Sequence, residues 1–225
     1  MGAFAEYVTV PSRIAYHLPD SIPFEQAALI EAVSVAVHAI TLTPVVPGDT
    51  VVIIGAGMIG LLALQAAVLA GAGKVLVVDV DDTRLELARR LGAVETLIST
   101  KNDPVAAIRH LTSGRGADVA LECVGLSSTV NLAIEGVRKG GAVTLVGNIA
   151  PAVELGLQSV VTRQIRLQGS CASSGEYPTC IELMSRGAIQ VGPLLSAIAP
   201  LEEGAEWFRR LYAKEPGLLK VVLRP

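Results

Sequence analysis

Gly55, Gly57 and Gly60 stand in the spacing G-x-G-x-x-G, and Asp79 comes nineteen residues after the last of them. Residues of these types at this spacing can hold a dinucleotide. Gly55 permits a tight turn, Gly57 leaves no Cβ between the backbone and a pyrophosphate, and Gly60 lets a helix pack closely on a strand. Met58 and Ile59 would open that helix, whose unpaired N–H groups and partial positive charge face the phosphates. A carboxylate at Asp79 can accept both ribose hydroxyls of an adenosine and repels a 2′-phosphate, so NAD is expected rather than NADP. The competing account is an ordinary glycine-rich turn, and the surrounding elements decide between the two.

Those elements are legible around the motif. Val51-Val52-Ile53-Ile54 suits a strand buried on both faces and leads through the glycines into a helix over 58–71. Lys74-Val75-Leu76-Val77-Val78-Asp79 predicts a second strand with Asp79 at its tip. Further strands are expected near 94–98, 117–122, 142–147 and 164–169, with helices in the gaps. Asp82 opens a helix that runs through Arg89, and Asn102-Asp103-Pro104 supplies a cap and a first-turn proline for another. Ser127 or Ser128 can cap a third, stopped at Lys139-Gly140-Gly141. Right-handed crossovers then give an α/β fold, a doubly wound, parallel six-stranded Rossmann sheet of order 3-2-1-4-5-6.

In such a sheet a ligand lies beyond the carboxyl ends of the strands. Those ends supply the remaining candidates: Cys123, Val124 and Gly125; Val146, Gly147 and Asn148; and, past the sixth strand, Cys171 and Ala172. Val124 and Val146 could wall an adenine or nicotinamide ring, and Gly125 and Gly147 would keep the crevice open. Plain turn chemistry competes at each position. Arg84 could lie over the adenine or remain solvated. Cys123 reads as a packed strand-end thiol with no base to make it a nucleophile.

Glu31 lies among Leu29, Ile30, Ala32 and Val33, in a helix expected over 31–41 after a shorter one over 24–30. It is either a solvated boundary residue or a functional group. His38, two helical turns on, falls on roughly the same face and reads as a hydrogen-bonded helix histidine rather than a substrate contact. Residues 4–10 alternate as a half-buried strand with Phe4, Glu6, Val8 and Val10 on one face, entered part-way from Met1-Gly2-Ala3, which suggests an incomplete chain. After residue 175 the rhythm changes to a helix over 178–187, a strand over 194–199, a helix over 201–213 carrying Trp207, Phe208 and Leu211, and a strand over 219–223. The expected organisation is therefore 1–40 as the end of one domain, 41–175 as the nucleotide-binding domain, and 176–225 as a return to the first.

Composition bounds the alternatives. Of 225 residues 51% are hydrophobic and 17% charged, which suits parallel strands covered on both faces and argues against disorder. The net charge of −3, with both signs interspersed, gives no basic stripe for nucleic acid and no attraction to a membrane surface. Residues 51–72 carry one polar side chain, Gln65, and are long enough to cross a bilayer, but the glycine spacing and the repeated strand-helix units downstream argue for a buried helix. Three cysteines fit neither a disulfide framework nor a C-x-x-C zinc pattern, and no signal peptide is evident, so a cytoplasmic setting is expected.

Through Phe4-Ala5-Glu6-Tyr7, Leu18-Pro19-Asp20, Ala27-Ala28-Leu29-Ile30-Glu31, the stretch from Val51 to Gly60, Asp79, Arg84 and Glu122-Cys123-Val124-Gly125, the sequence resembles the zinc-dependent medium-chain alcohol dehydrogenases, in their sorbitol, butanediol and threonine dehydrogenase branch. The resemblance implies a zinc-bearing domain like a chaperonin-10 barrel, then the cofactor domain, then a return to the first, with this chain matching the later part. It implies oxidation of a secondary alcohol to a ketone, in which zinc lowers the pKa of the bound alcohol and the alkoxide gives hydride to the nicotinamide. NAD is the implied cofactor, zinc is implied for a full-length member, and a small alcohol or polyol is the implied substrate. Glu31 would lie near the metal through its bound water. The family's cysteine ligand and Gly-His-Glu motif are expected upstream, and one carboxylate cannot hold a catalytic zinc, which takes about three protein ligands. The chain is accordingly expected to be inactive alone. Where polyol dehydrogenases carry an arginine after the sixth strand, Gly169 here leads into Ser170-Cys171-Ala172-Ser173. The family pairs sheet edges near residues 164–169, which implies a homodimer or tetramer. The alternatives are a non-catalytic NAD-binding module and a zinc-independent reductase of the same superfamily; Asp79 and Glu31 argue against the second.

Overall fold

A computed structural model describes residues 4–101 and 103–225. The chain forms two compact units, one holding the residues up to Glu31 together with Tyr177–Pro225, the other Ala32–Glu176.

Helix α2 (Ile30–Thr41), which follows the short α1 (Phe24–Ala27) of the smaller unit and belongs to the larger unit from Ala32 on, leads to strand β1 (Thr50–Ile54) and helix α3 (Met58–Leu69). Alternation continues through β2 (Lys74–Asp79), α4 (Asp82–Arg90), β3 (Glu95–Ile98), α5 (Pro104–Leu111), β4 (Ala117–Glu122), α6 (Ser127–Gly136), β5 (Val137–Leu145), α7 (Leu157–Thr162) and β6 (Arg166–Gly169). The strands make one six-stranded sheet of order β3-β2-β1-β4-β5-β6, and every neighbouring pair is parallel. This is the expected doubly wound topology.

The apolar runs go where apolar runs must. Val51 to Ile54, Val75 to Val78 and Val119 to Leu121 are all buried, as befits strands covered on both faces. Helix α3 is buried from Gly60 through Ala67, which is why its sequence is apolar all round rather than amphipathic. No helix among the described residues is long and apolar enough to cross a membrane. Asp81 caps α4 by accepting from the Thr83 and Arg84 amides, and Asp103 caps α5 at Val105 and Ala106 ahead of Pro104, while Asn102 lies outside the described residues.

Two expectations about α6 and its end are corrected by the fold. Helix α6 is not capped by Ser127 or Ser128 and does not run to Lys139: Leu126 precedes its first turn, Thr129 exchanges hydrogen bonds with the Leu126 backbone, and the helix ends at Gly136. Gly140 and Gly141 lie inside β5, where Gly140 takes a φ of 71° and the register against β4 slips between Ala117 and Val119. The glycines therefore make a bulge, whose extra residues are accommodated by left-handed backbone rather than by a helix stop. Ser127 instead accepts from the Glu154 amide at 3.0 Å, tethering the loop before α7.

In the smaller unit, α8 (Tyr177–Ser185), β7 (Leu195–Pro200), α9 (Gly204–Tyr212) and β8 (Lys220–Arg224) build a parallel two-stranded ladder with flanking helices. Phe4 meets Phe208 edge-to-face at 5.4 Å, Tyr16 stacks on Tyr177 at 5.5 Å, and Arg224 pairs with Glu25. The strand expected over residues 4–10 is absent: these residues are irregular and exposed, Tyr7 by 90%. A strand needs a ladder partner, and among the described residues none runs beside this segment. Met1, Gly2 and Ala3 fall outside the described residues.

Candidate functional site

Register aligns the ends of the strands. Ile54 lies opposite Val78 and Glu122, Glu122 opposite Leu145, and Leu145 opposite Gly169. One row of residues thus ends four strands and falls one residue short of Asp79, the end of β2. Immediately beyond that row stand Gly55–Gly60, Asp79, Cys123–Gly125, Val146–Asn148 and Ser170–Ala172. The sequence candidates of the larger unit are brought to a single edge.

At β1, each glycine of the motif has its own cause. Gly55 adopts a φ of 96°, which only glycine enters without strain. A Cβ on Gly60 would lie 1.8 Å from the Gly55 carbonyl oxygen, so turn and helix touch backbone to backbone. Gly57 differs from both. Its φ of −72° is ordinary for any residue, and a Cβ built there meets nothing within 4 Å. The chain's own packing gives no reason for glycine at this position; the space it leaves lies before the first turn of α3, where Met58, Ile59 and Gly60 carry amides without carbonyl partners one turn back.

Asp79, 9% exposed, is drawn into the same turn. Its Oδ2 accepts from the Ala56 amide at 2.5 Å, and its Oδ1 from the amides of Val80 at 2.7 Å and Asp81 at 2.9 Å. A carboxylate offers about four acceptor positions and three are taken by these amides, so about one remains for a ribose hydroxyl. Arg84, at the start of α4, is half exposed and only loosely paired with Asp81, at 3.7 Å.

The second wall of the edge depends on a residue to which sequence reasoning gave no role. Glu122 is fully buried; its Oε1 accepts from the amides of Val124 and Gly125, both at 2.9 Å, and its Oε2 from Gly125 at 3.0 Å. Its backbone oxygen accepts from Val146 at 2.8 Å and Gly147 at 2.9 Å. One residue therefore shapes both turns that carry the expected apolar walls. A carboxylate closing the otherwise apolar strand Val119-Ala120-Leu121 was the available sign. The turns interlock through their glycines: a Cβ on Gly147 would lie 2.2 Å from the Val124 nitrogen, and one on Gly125 2.4 Å from the Asn148 nitrogen. Burial, with the Glu122 carboxylate adding to it, pushes the Cys123 thiol up, which disfavours the thiolate.

Past β6, the Ser170 amide bonds the Leu145 oxygen at 2.9 Å, Cys171 is exposed, and Ala172 and Gly175 take φ values of 53° and 95°. The loop closes on Glu176, whose Oε1 lies 2.6 Å from His38 Nδ1 and whose Oε2 accepts from the Ser174 amide. His38 is thus a hydrogen-bonded helix histidine. Burial alone would raise the Glu176 carboxyl, but the bonds from His38 and the Ser174 amide outweigh it and hold it below the usual range.

Glu31 is exposed on the first turn of α2, in the smaller unit. Among the described residues no group of three or more His, Cys, Asp and Glu is arranged to hold a metal, so these residues do not by themselves fit a catalytic zinc. The opposite, amino edge of the sheet has a cleft of about 250 Å³ lined by Asp49, Asp118, Arg138, Gln164 and Arg166. Its carboxylates serve the chain itself: Asp49 accepts from the Val46 amide at 2.9 Å. Asp118 accepts from Arg115 at 2.7 and 3.0 Å, from Arg138 at 2.7 Å and from the Thr50 amide at 2.9 Å. The cleft is remote from the glycine turn, at the end of the sheet where doubly wound folds do not place ligands.

Fold and edge together define a Rossmann-type α/β domain, the class that receives dinucleotides beyond the carboxyl ends of its strands. Comparison with known proteins gives the family. Residues 59–186 match the zinc-binding dehydrogenase family, and the chain belongs to it. Sorbitol dehydrogenase of Bacillus subtilis (strain 168) is 32% identical over 225 residues, covering 100% of this chain and 64% of the relative. The crystal structure of 2R,3R-butanediol dehydrogenase from Bacillus subtilis superposes with a TM-score of 0.91 at 30% identity, covering 100% of this chain and 64% of that one. A zinc-binding dehydrogenase from Sinorhizobium meliloti 1021, solved bound to NADP, gives 0.90 at 31% identity, covering 100% and 66%. The chain therefore spans about two thirds of the length of these relatives.

Proposed function

We propose that this chain is the cofactor-binding part of an NAD-dependent dehydrogenase acting on a small alcohol or polyol. The observation that carries the reading is Gly57, a glycine that neither backbone conformation nor packing demands, set before a helix N-terminus and beside Asp79. In this reading the amides at the start of α3 hold the pyrophosphate, Asp79 takes a ribose hydroxyl, Arg84 flanks the adenine, and Val124 and Val146 wall the nicotinamide side. The nicotinamide supplies the hydride acceptor when bound, and the oxidised substrate is a secondary alcohol, as the names of the sorbitol and butanediol relatives suggest.

The described residues do not supply a zinc site, so no step is assigned to the metal, and alcohol oxidation is assigned to the protein only together with ligands beyond these residues. Glu31 belongs in this reading at the edge of such a site, contacting the metal through water. The chain by itself is expected to bind cofactor without turnover. Residues up to Glu31 and from Tyr177 onward are assigned to the catalytic domain, and the β6 edge to pairing of subunits.

The relative bound to NADP makes the choice of nucleotide the sharpest test. Calorimetric titration of the 225-residue chain with NADH and NADPH should give one NADH per chain and NADPH at least about tenfold weaker, since Asp79 opposes a 2′-phosphate. A folded chain that binds neither would sink the reading, and one that prefers NADPH would overturn the role given to Asp79.

A further inference from the structure

The sheet order fixes which half of a dinucleotide each strand end meets. With adenosine at β2 and pyrophosphate at β1, the nicotinamide half runs over β4, β5 and β6, toward the loop Ser170–Glu176. That loop is wound through two left-handed residues, Ala172 and Gly175. One of the contacts that hold it comes from far away in sequence. His38 Nδ1 reaches Glu176 Oε1 at 2.6 Å across 138 residues, and a carboxylate only accepts, so the imidazole carries its proton at Nδ1. Both side chains are largely buried, with 17% and 13% exposed. Helix α2, which presents His38, is itself fixed to the sheet: Thr43 Oγ1 donates to the Ala39 carbonyl at 2.6 Å and lies 2.8 Å from Thr144 Oγ1 of β5. The second Glu176 oxygen binds the Ser174 amide and so folds the loop back on itself.

We infer that His38 and Glu176 are a positioning pair that sets the loop Ser170–Glu176 against the nicotinamide half of the cofactor. The inference rests on the function proposed above. It distinguishes the two halves of the ligand. Adenosine and pyrophosphate are held by β1 and β2, which the pair does not touch, so a ligand that ends before the nicotinamide should not sense it.

The test titrates the full chain with NADH and with ADP-ribose, which lacks nicotinamide. In Glu176→Gln the side chain can still accept from one of its two donors, but its amide nitrogen then opposes the other; in His38→Leu the donor is gone. Both should weaken NADH about tenfold while ADP-ribose stays within about twofold, and the double variant should be no worse than either single one. His38→Asn keeps an N–H near the position of Nδ1 and should restore most of the NADH affinity. Gly175→Ala gives a second route that leaves the core intact: its Cβ meets nothing within 4 Å, but a φ of 95° strains it, and it should show the same selective loss. Equal weakening of both ligands, or of neither, would overturn the inference while leaving the function in place. Wild-type protein that binds neither ligand would remove the proposed function and this role with it.

Discussion

Asp79 Oδ2 accepts a hydrogen bond from the Ala56 amide at 2.5 Å, so the acidic tip of the second strand is built into the glycine turn that ends the first. Two features that read as separate parts of a motif are one hydrogen-bonded unit. Asp79→Asn keeps the shape but turns one acceptor oxygen into a donor facing backbone N–H groups. NADH affinity should fall about tenfold or more, by about 1.4 kcal/mol per tenfold, and the margin over NADPH should narrow; calorimetry with both nucleotides measures it.

Substitutions at Gly57 and Gly60 are expected to separate cofactor binding from folding. Gly57→Ala adds a methyl group to open space at an ordinary φ, so thermal stability should change by less than ~1 kcal/mol while NADH binding drops at least tenfold through contact with the pyrophosphate. Gly60→Ala drives a Cβ toward the Gly55 carbonyl and should cost about 3 kcal/mol or prevent folding. Thermal melts and titration of the two variants side by side check this. Equal loss of stability in both would show that Gly57 is there for packing.

Glu122 is a buried carboxylate whose partners are backbone amides rather than a cation. Glu122→Gln leaves an amide nitrogen facing the Gly125 N–H, and an unsatisfied buried donor costs about 2 kcal/mol. Chemical denaturation should register that loss, and NADH should bind more weakly because the turns at Val124 and Val146 are both released. Glu122→Ala should be worse on both measures.

The amino edge of the sheet predicts an acid limit to stability. Burial alone would raise the Asp118 carboxyl, but hydrogen bonds from Arg115, Arg138 and the Thr50 amide hold it at about 2, below its ordinary 3.8. A folded pKa below the unfolded one adds stability that is complete above the unfolded value and is lost as pH falls through the folded one. Unfolding free energy should therefore decline from about pH 4 toward pH 2. Asp118→Asn should flatten that limb at the expense of stability near neutrality, as tracked by denaturant titration across the range.

The sequence by itself determined the sheet and the glycine turn and acidic strand tip at its carboxyl edge. Buried parallel strands are apolar runs because both faces are covered, nucleotide turns need glycine where φ is positive or backbones touch, and the caps at Asp81 and Asp103 lie within a residue of where a helix-opening aspartate was read or expected. Each of these causes acts within a few residues, so each leaves a local mark. Tertiary structure alone decided the rest. Residues 4–10 alternate like a strand but have no ladder partner among the described residues, and Gly140 and Gly141 look like a helix stop but serve a bulge because β4 dictates their register. The tie of Glu122 to two turns, and of His38 to Glu176 across 138 residues, leaves no periodicity to read. A hydrogen bond between distant parts of a chain exists only once packing has brought donor and acceptor within reach, and that distance is a property of the fold.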